Sequence, residues 1–252
     1  MENLKSIIPN SLTSLNLACG CIATLSMLNH HYLLGIVLIF VATIADFLDG
    51  FLASLLKVQS DLGKELDSLA DMVSFGVVPG TILYVALSKA LGIESFDEIL
   101  KTQNYLPFLG YIVTVFSALR LAKFNIDTRQ TSSFIGLPTP AATLFFLVFP
   151  LILSFPDYSP EFLKTFSEIV FSPFIICFVI VIVSLMMVSS LPLFSLKFKD
   201  FSWSNNTMRY VFLLISLIFI VFLRTWSIAI IVFLYLFLSL IENSIIKKKK
   251  NE

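Results

Sequence analysis

Four aspartates fall into two pairs whose spacing matches the turn of a helix. Asp46 and Asp49 are three residues apart, and Asp67 and Asp71 are four apart, so each pair shares one helix face. Each pair sits at the end of an apolar run, one on either side of the short loop 57–62. Two antiparallel helices joined by such a loop would bring all four carboxylates to one level. An Asp in a membrane helix costs about 2.5–3.5 kcal/mol at the bilayer centre and less near the interface. Four clustered like charges also repel one another. A divalent cation relieves both penalties. An all-carboxylate donor set suits a hard ion, Mg²⁺ or Mn²⁺, rather than zinc, which prefers nitrogen and sulfur. Four acids suffice for one ion, or for two bridged ions of the kind that clamp a displacement at phosphorus. Solvated helix ends would explain any one of these aspartates, and explain poorly four of them at helical spacing around one loop.

Other residues could serve the same chemistry. Gly50 and Ala53 follow Asp49 by one and four positions, where a small side chain lets a ligand approach the backbone; plain helix packing is the competing explanation. Arg120, Lys123 and Asn125 close a later apolar run. A guanidinium matches phosphate or carboxylate bidentately, although cations here also anchor membrane topology. Asn10 and Thr13 head the first apolar run, where they can contact a nucleotide or cap the helix. Pro138 and Pro140 shape the start of the fifth run. Cys19, Cys21 and Cys177 lie in apolar stretches with no second Cys/His pair to complete a zinc site, and the adjacent His30 and His31 point in different directions on a helix.

The elements that must position these groups are membrane helices. The 252-residue chain is 57% apolar and 13% charged, with 26 Phe and a net charge of zero. A soluble domain is roughly 45–50% apolar and about 25% charged, so this composition excludes a soluble globular enzyme. The balanced charge and the absence of a polar tract exclude a nucleic-acid-binding or disordered chain. Runs of about 20 apolar residues predict eight spans, near 10–28, 32–56, 66–91, 104–125, 137–156, 170–190, 208–224 and 226–243, with six as the lower bound. The fold expected is an all-α polytopic bundle. Residues 1–145 would carry the catalytic helices, and 146–252 the remaining helices and a basic tail of the same membrane domain. With a cytoplasmic N-terminus, 13 of the 17 Lys and Arg fall inside and 4 outside, which obeys the positive-inside rule and puts both termini in the cytoplasm. Lys247–Lys250 reads as a stop-transfer anchor beside anionic lipid. The first residues hold one Lys and no clear cleavage site, so they are expected to be retained.

The spacing D-x-x-D-G-x-x-A followed by G-x-x-x-D-x-x-x-D resembles the motif of the CDP-alcohol phosphatidyltransferase family. Asp46, Asp49, Gly50, Ala53, Gly63, Asp67 and Asp71 occupy seven of its eight fixed positions. Ser54 stands where the family usually has Arg, and Lys57, one turn on, is the candidate replacement charge. Pro9–Thr13 with Asn16–Gly20, Leu66–Gly76, Arg120–Asn125 and Gly136–Ala142 are similar to the phosphatidylserine synthase branch. The resemblance covers residues 9 to about 142. It implies transfer of a phosphatidyl group from CDP-diacylglycerol to L-serine with release of CMP. It also implies Asp46, Asp49, Asp67 and Asp71 as ligands of one or two Mg²⁺ or Mn²⁺ ions, with Asp67 and Asp71 catalytic and Asp71 the general base. Asn10, Thr13, Gly50, Ala53, Lys57, Gly63, Arg120 and Lys123 would bind substrate. A homodimer in the cytoplasmic membrane, its active site facing the cytoplasm, follows from the same resemblance.

Two rival readings remain open in the sequence. A sister enzyme using glycerol phosphate or inositol phosphate would favour a further basic cluster beside the site. An ion-coupled transporter would carry its acids near mid-bilayer in separated repeat halves, whereas these acids are confined to one helix pair.

Overall fold

The computed structural model describes residues 4–58, 60–126, 134–193 and 202–251. Arg129, Lys197 and Lys199 of the expected inner cationic group lie outside them, as do the side chains of Lys247–Lys250. The chain is almost entirely helical. α1 (Ile7–Leu28) and α2 (Tyr32–Leu55) form an antiparallel hairpin, followed by α3 (Asp61–Met72), a π-helical turn (Val73–Val77) and α4 (Val78–Ala90) in one continuous run. The short α5 (Phe96–Thr102) and a 3₁₀ turn (Leu106–Tyr111) lead into α6 (Ile112–Ile126). α7 (Thr139–Phe146), α8 (Val148–Ser154), α9 (Glu161–Val170) and α10 (Pro173–Val188) complete the central bundle. α11 (Trp203–Leu223) and α12 (Ser227–Asn251) pack against each other as a terminal hairpin. A two-residue antiparallel pair, β1 (Phe134–Ile135) with β2 (Pro192–Leu193), ties the segment before α7 to the segment after α10.

The fold is the expected all-α polytopic membrane architecture, with a difference in how the spans are built. Each of the eight predicted runs coincides with a helical element, but among the described residues length and composition qualify five helices as spans, or six with the bent pair. The fifth run, Thr139–Ser154, is too short to cross alone, and α9 and α10 are bent by 83° at the break between them. The last two runs form one apolar stretch, Asn206–Asn243. Arg224, at φ 49° and ψ −115°, breaks that stretch and turns the chain back.

Lipid-facing and protein-facing stripes separate cleanly on α2. Ile44, Phe47, Phe51 and Leu55 are exposed at helical spacing, the surface expected to meet hydrocarbon. Ala42, Ala45 and Asp49 are buried. In a bilayer the contact between helices depends on close approach rather than on apolar burial, because lipid tails are as apolar as Leu. Gly80 and Gly110 make such an approach where α4 crosses the 3₁₀ turn. A Cβ on Gly110 would lie 2.6 Å from the Tyr84 amide nitrogen and 2.8 Å from the Gly80 carbonyl oxygen. Neither backbone atom can swing aside. Gly110→Ala should therefore cost about 1–3 kcal/mol, read as a lower thermal unfolding midpoint in detergent micelles.

Candidate active site

The site forms where α1 holds α2 and α3 apart. α1 packs along both, whereas α2 and α3 make little contact with each other, so the carboxylates meet across a gap instead of within a helix interface. Ser60 starts α3: its side chain accepts the Gly63 amide at 3.0 Å, an N-cap that fixes where the second aspartate pair begins. Because the helices run antiparallel, Asp49 and Asp67 lie nearer the connecting loop, and Asp46 and Asp71 lie one turn deeper. Ligand atoms of Asp46, Asp49 and Asp67 lie within 4.8 Å of one another, and the Asp71 carboxylate is a near neighbour of Asp46.

The donor set fits a hard divalent cation. The oxygens come from three converging carboxylates with a fourth behind them, and Asp67 Oδ1 is buried with no hydrogen-bond partner. An orphaned carboxylate oxygen in an apolar bundle is costly unless a cation or a donor meets it. Asp46, Asp49 and Asp67 would hold the ion, and Asp71, the fourth ligand expected from the sequence, is not one of this converging group.

Neighbouring side chains orient the acids. Thr13 Oγ1 donates to Asp49 Oδ2 at 2.5 Å and also lies 3.1 Å from the Pro9 carbonyl. Asn16 Nδ2 donates to Asp71 Oδ1 at 3.3 Å. Capping by Asn10 and Thr13 is not observed: both lie inside α1, whose N-cap is Ser6. Asn16 carries no weight of its own in the sequence reading, yet it shares the α1 face of Thr13 and Gly20 at three- and four-residue spacing. That face is the available signal.

A cavity of about 170 Å³ opens beside Asp49 and Asp67, lined by Asn10, Thr13, Gly50, Ala53, Gly63 and Lys64 among others. It is smaller than the roughly 300–1,000 Å³ of sites that enclose a whole small molecule, so it would take in only part of a larger ligand. A Cβ on Gly50 would meet no atom within 4 Å; helix packing does not require this glycine, and its missing side chain leaves space in the cavity. Gly63 differs, since a Cβ there would lie 3.1 Å from Ser60 Oγ and 3.4 Å from Asn10 Oδ1.

The cations divide. Lys57 sits past the end of α2, exposed and at a left-handed φ of 53°, and is not among the residues around the cavity, whereas Lys64 is. Arg120 is buried: Nη1 donates to Thr139 Oγ1 at 3.4 Å, and Cζ lies 5.3 Å from the centroid of the Phe124 ring. Its Nε is buried without a hydrogen-bond partner. Lys123 is exposed, and Asn125 Nδ2 donates to Ser68 Oγ at 2.8 Å, linking the end of α6 to α3. If Thr13 orients Asp49 for an ion, Thr13→Val should weaken Mn²⁺ affinity about tenfold, as measured by electron paramagnetic resonance titration of purified protein.

Comparison with known proteins bears on what this arrangement does. Residues 6–188 match the family model of the CDP-alcohol phosphatidyltransferases. The chain is 39% identical over 153 residues to a Bacillus subtilis protein named CDP-diacylglycerol–serine O-phosphatidyltransferase, covering 61% of this chain and 77% of that one. A Helicobacter pylori protein of the same name is 29% identical over 218 residues, covering 85% of this chain and 82% of its own length. One from Methanocaldococcus jannaschii is 36% identical over 151 residues, covering 59% and 64%. With its acid cluster formed by the residues of the family motif and the family model spanning most of its length, the chain belongs to the CDP-alcohol phosphatidyltransferase family.

Proposed function

We propose that this protein transfers the phosphatidyl group of CDP-diacylglycerol to L-serine, forming phosphatidylserine and releasing CMP in phospholipid biosynthesis. The observation that carries the reading is the convergence of Asp46, Asp49 and Asp67 beside a small cavity, in a chain whose relatives bear that activity in their names. Serine as acceptor rests on those names. The small number of cations beside the site agrees with an amino acid rather than an acceptor carrying its own phosphate.

One or two Mg²⁺ or Mn²⁺ ions, held by Asp46, Asp49, Asp67 and Asp71, would neutralise the diphosphate and the departing phosphate of CMP. The protein's own groups do the rest. Asn10, Thr13, Gly50, Ala53 and Gly63 admit the nucleotide end of the lipid, and Lys64 or Lys57 supplies the charge that Ser54 does not. Arg120 holds the carboxylate of serine or the lipid phosphate, with Lys123 at the rim. Asp71 takes the proton of the serine hydroxyl as its oxygen bonds to the lipid-side phosphorus; the bond from that phosphorus to the bridging oxygen breaks, and CMP leaves with the electron pair.

The same reading places the acid cluster and both termini on the cytoplasmic side of the cell membrane. It treats the protein as a homodimer, with residues 1–145 the catalytic part and 146–252 the remainder of one domain. The central core draws residues from both parts, in keeping with a single domain.

Purified protein supplied with CDP-diacylglycerol, Mg²⁺ or Mn²⁺ and one candidate alcohol at a time should release CMP with L-serine and not with glycerol phosphate or inositol phosphate. Release with none of them rejects the enzyme reading. Asp71→Asn should lower turnover by about 10²–10⁴-fold in a protein that stays folded and binds CDP-diacylglycerol; retained turnover removes Asp71 from the base role. Of the two lysines, Lys64→Ala should raise the KM for CDP-diacylglycerol more than Lys57→Ala does, and the reverse order would return the charge to Lys57.

A further inference from the structure

The run that carries Asp67 and Asp71 is not a plain α-helix. Its π-helical turn, Val73–Val77, begins two residues after Asp71, and the Val78 amide reaches back five residues to the Val73 carbonyl. Pro79 supplies a cause, since it has no N–H to give to the carbonyl of Phe75, four residues earlier. A π turn adds one residue to the helix, which rotates the residues before the turn by about 100° relative to those after it. The direction of Asp67 and Asp71 therefore depends on this turn keeping its extra residue.

One face of α6 holds the turn in place. Thr114 Oγ1 donates to the Gly76 carbonyl at 2.8 Å, and Ser117 Oγ donates to the Phe75 carbonyl at 3.3 Å. Ser117 is fully buried, and a Cβ on Gly76 would come within 3.2 Å of the Ser117 Cβ. α7 adds a weaker contact: Thr143 Oγ1 lies 3.3 Å from the Phe75 carbonyl but 2.9 Å from its own Thr139 carbonyl. On the other side, Ser74 Oγ donates to the Asn16 carbonyl at 2.9 Å, and the Asn16 side chain reaches Asp71. Thr114, Ser117 and Arg120 are successive residues of one α6 face at three-residue spacing. The helix that grips the turn thus also carries the buried Arg120, one turn beyond Ser117.

We propose that Thr114 and Ser117 are positioning residues: by satisfying the carbonyls of the π turn they set the register of Asp67 and Asp71 against Asp46, Asp49 and Arg120. The inference rests on the transferase reading only for its kinetic readout. Loss of both hydroxyls lets the turn open or shift while the apolar packing of the helices remains.

The experiment compares Thr114→Val, Ser117→Ala, their double variant and Thr114→Ser, with CMP release and amide hydrogen exchange of residues 73–80 measured on each. The double variant should lose about ten- to hundredfold in kcat with KM for CDP-diacylglycerol within about twofold of the parent, and its 73–80 amides should exchange faster. Thr114→Ser, which keeps the hydroxyl, should behave as the parent. Unchanged exchange in the double variant overturns the grip on the turn, and faster exchange with unchanged kcat overturns its role in positioning. If the double variant does not purify as folded protein, Thr114→Val set against Thr114→Ser decides, equal kcat and equal exchange counting against the proposal. A parent protein that releases no CMP with any alcohol rejects the transferase reading instead, and the exchange measurements still decide whether the hydroxyls hold the turn.

Discussion

Four carboxylates held close together inside an apolar bundle are the constraint to which the rest of the molecule answers. Each would be cheaper in water, and together they repel, so the helices that carry them cannot pack face to face as a pair of apolar helices would. α1 meets this constraint by lying against both α2 and α3 and keeping them apart. Its polar face, Thr13 and Asn16, supplies donors to two of the four acids, and Gly20 lets the backbone come close to Ser74. The gap left between α2 and α3 is the cavity. Site and scaffold are in this sense one object: a helix pair that packed well would have no room for substrate.

The second demand is directional. Oxygens can converge on a cation only if both helices present them at the right rotation, and in a run of 30 residues a small error in helical phase would turn Asp71 away. The N-cap at Ser60 fixes the start of this run and the π turn fixes its phase further along. Both devices act on backbone groups: the cap gives an amide a partner, and the hydroxyls of α6 give partners to carbonyls. In lipid no water is available to stand in for them, which makes a satisfied irregular turn stiff rather than loose.

The range of the forces involved decides how much of this is written in the amino-acid string. The aspartate pairs are legible because three- and four-residue spacing is a local property of helices, and the apolar runs because hydropathy is local too. Three things depend on chain far away. The role of Asn16 needs Asp71, 55 positions on. The choice between Lys57 and Lys64 turns on where α2 stops: a continued helix would carry Lys57 one turn beyond Ser54, but α2 ends at Leu55 and Lys57 adopts a left-handed φ. The span count suffers likewise, since a short apolar helix such as Thr139–Ser154 and the bend between α9 and α10 are accommodated by neighbours rather than announced by composition.

The π turn lies between these cases. Pro79 is visible in the sequence, and its missing N–H foretells a disturbed carbonyl at Phe75. What cannot be foretold is how the disturbance is resolved, because a kink, a water or a hydroxyl from another helix would each serve. Here the resolving groups, Thr114 and Ser117, stand on the same helix as Arg120, the nearer of them one turn before it. A local fault in the acid-bearing helix is thereby converted into a fixed relation between that helix and the one carrying the buried cation. Long-range attraction between a buried cation and the acids is compatible with many geometries; the hydrogen bonds to Phe75 and Gly76 tie α6 to one phase of the acid-bearing run.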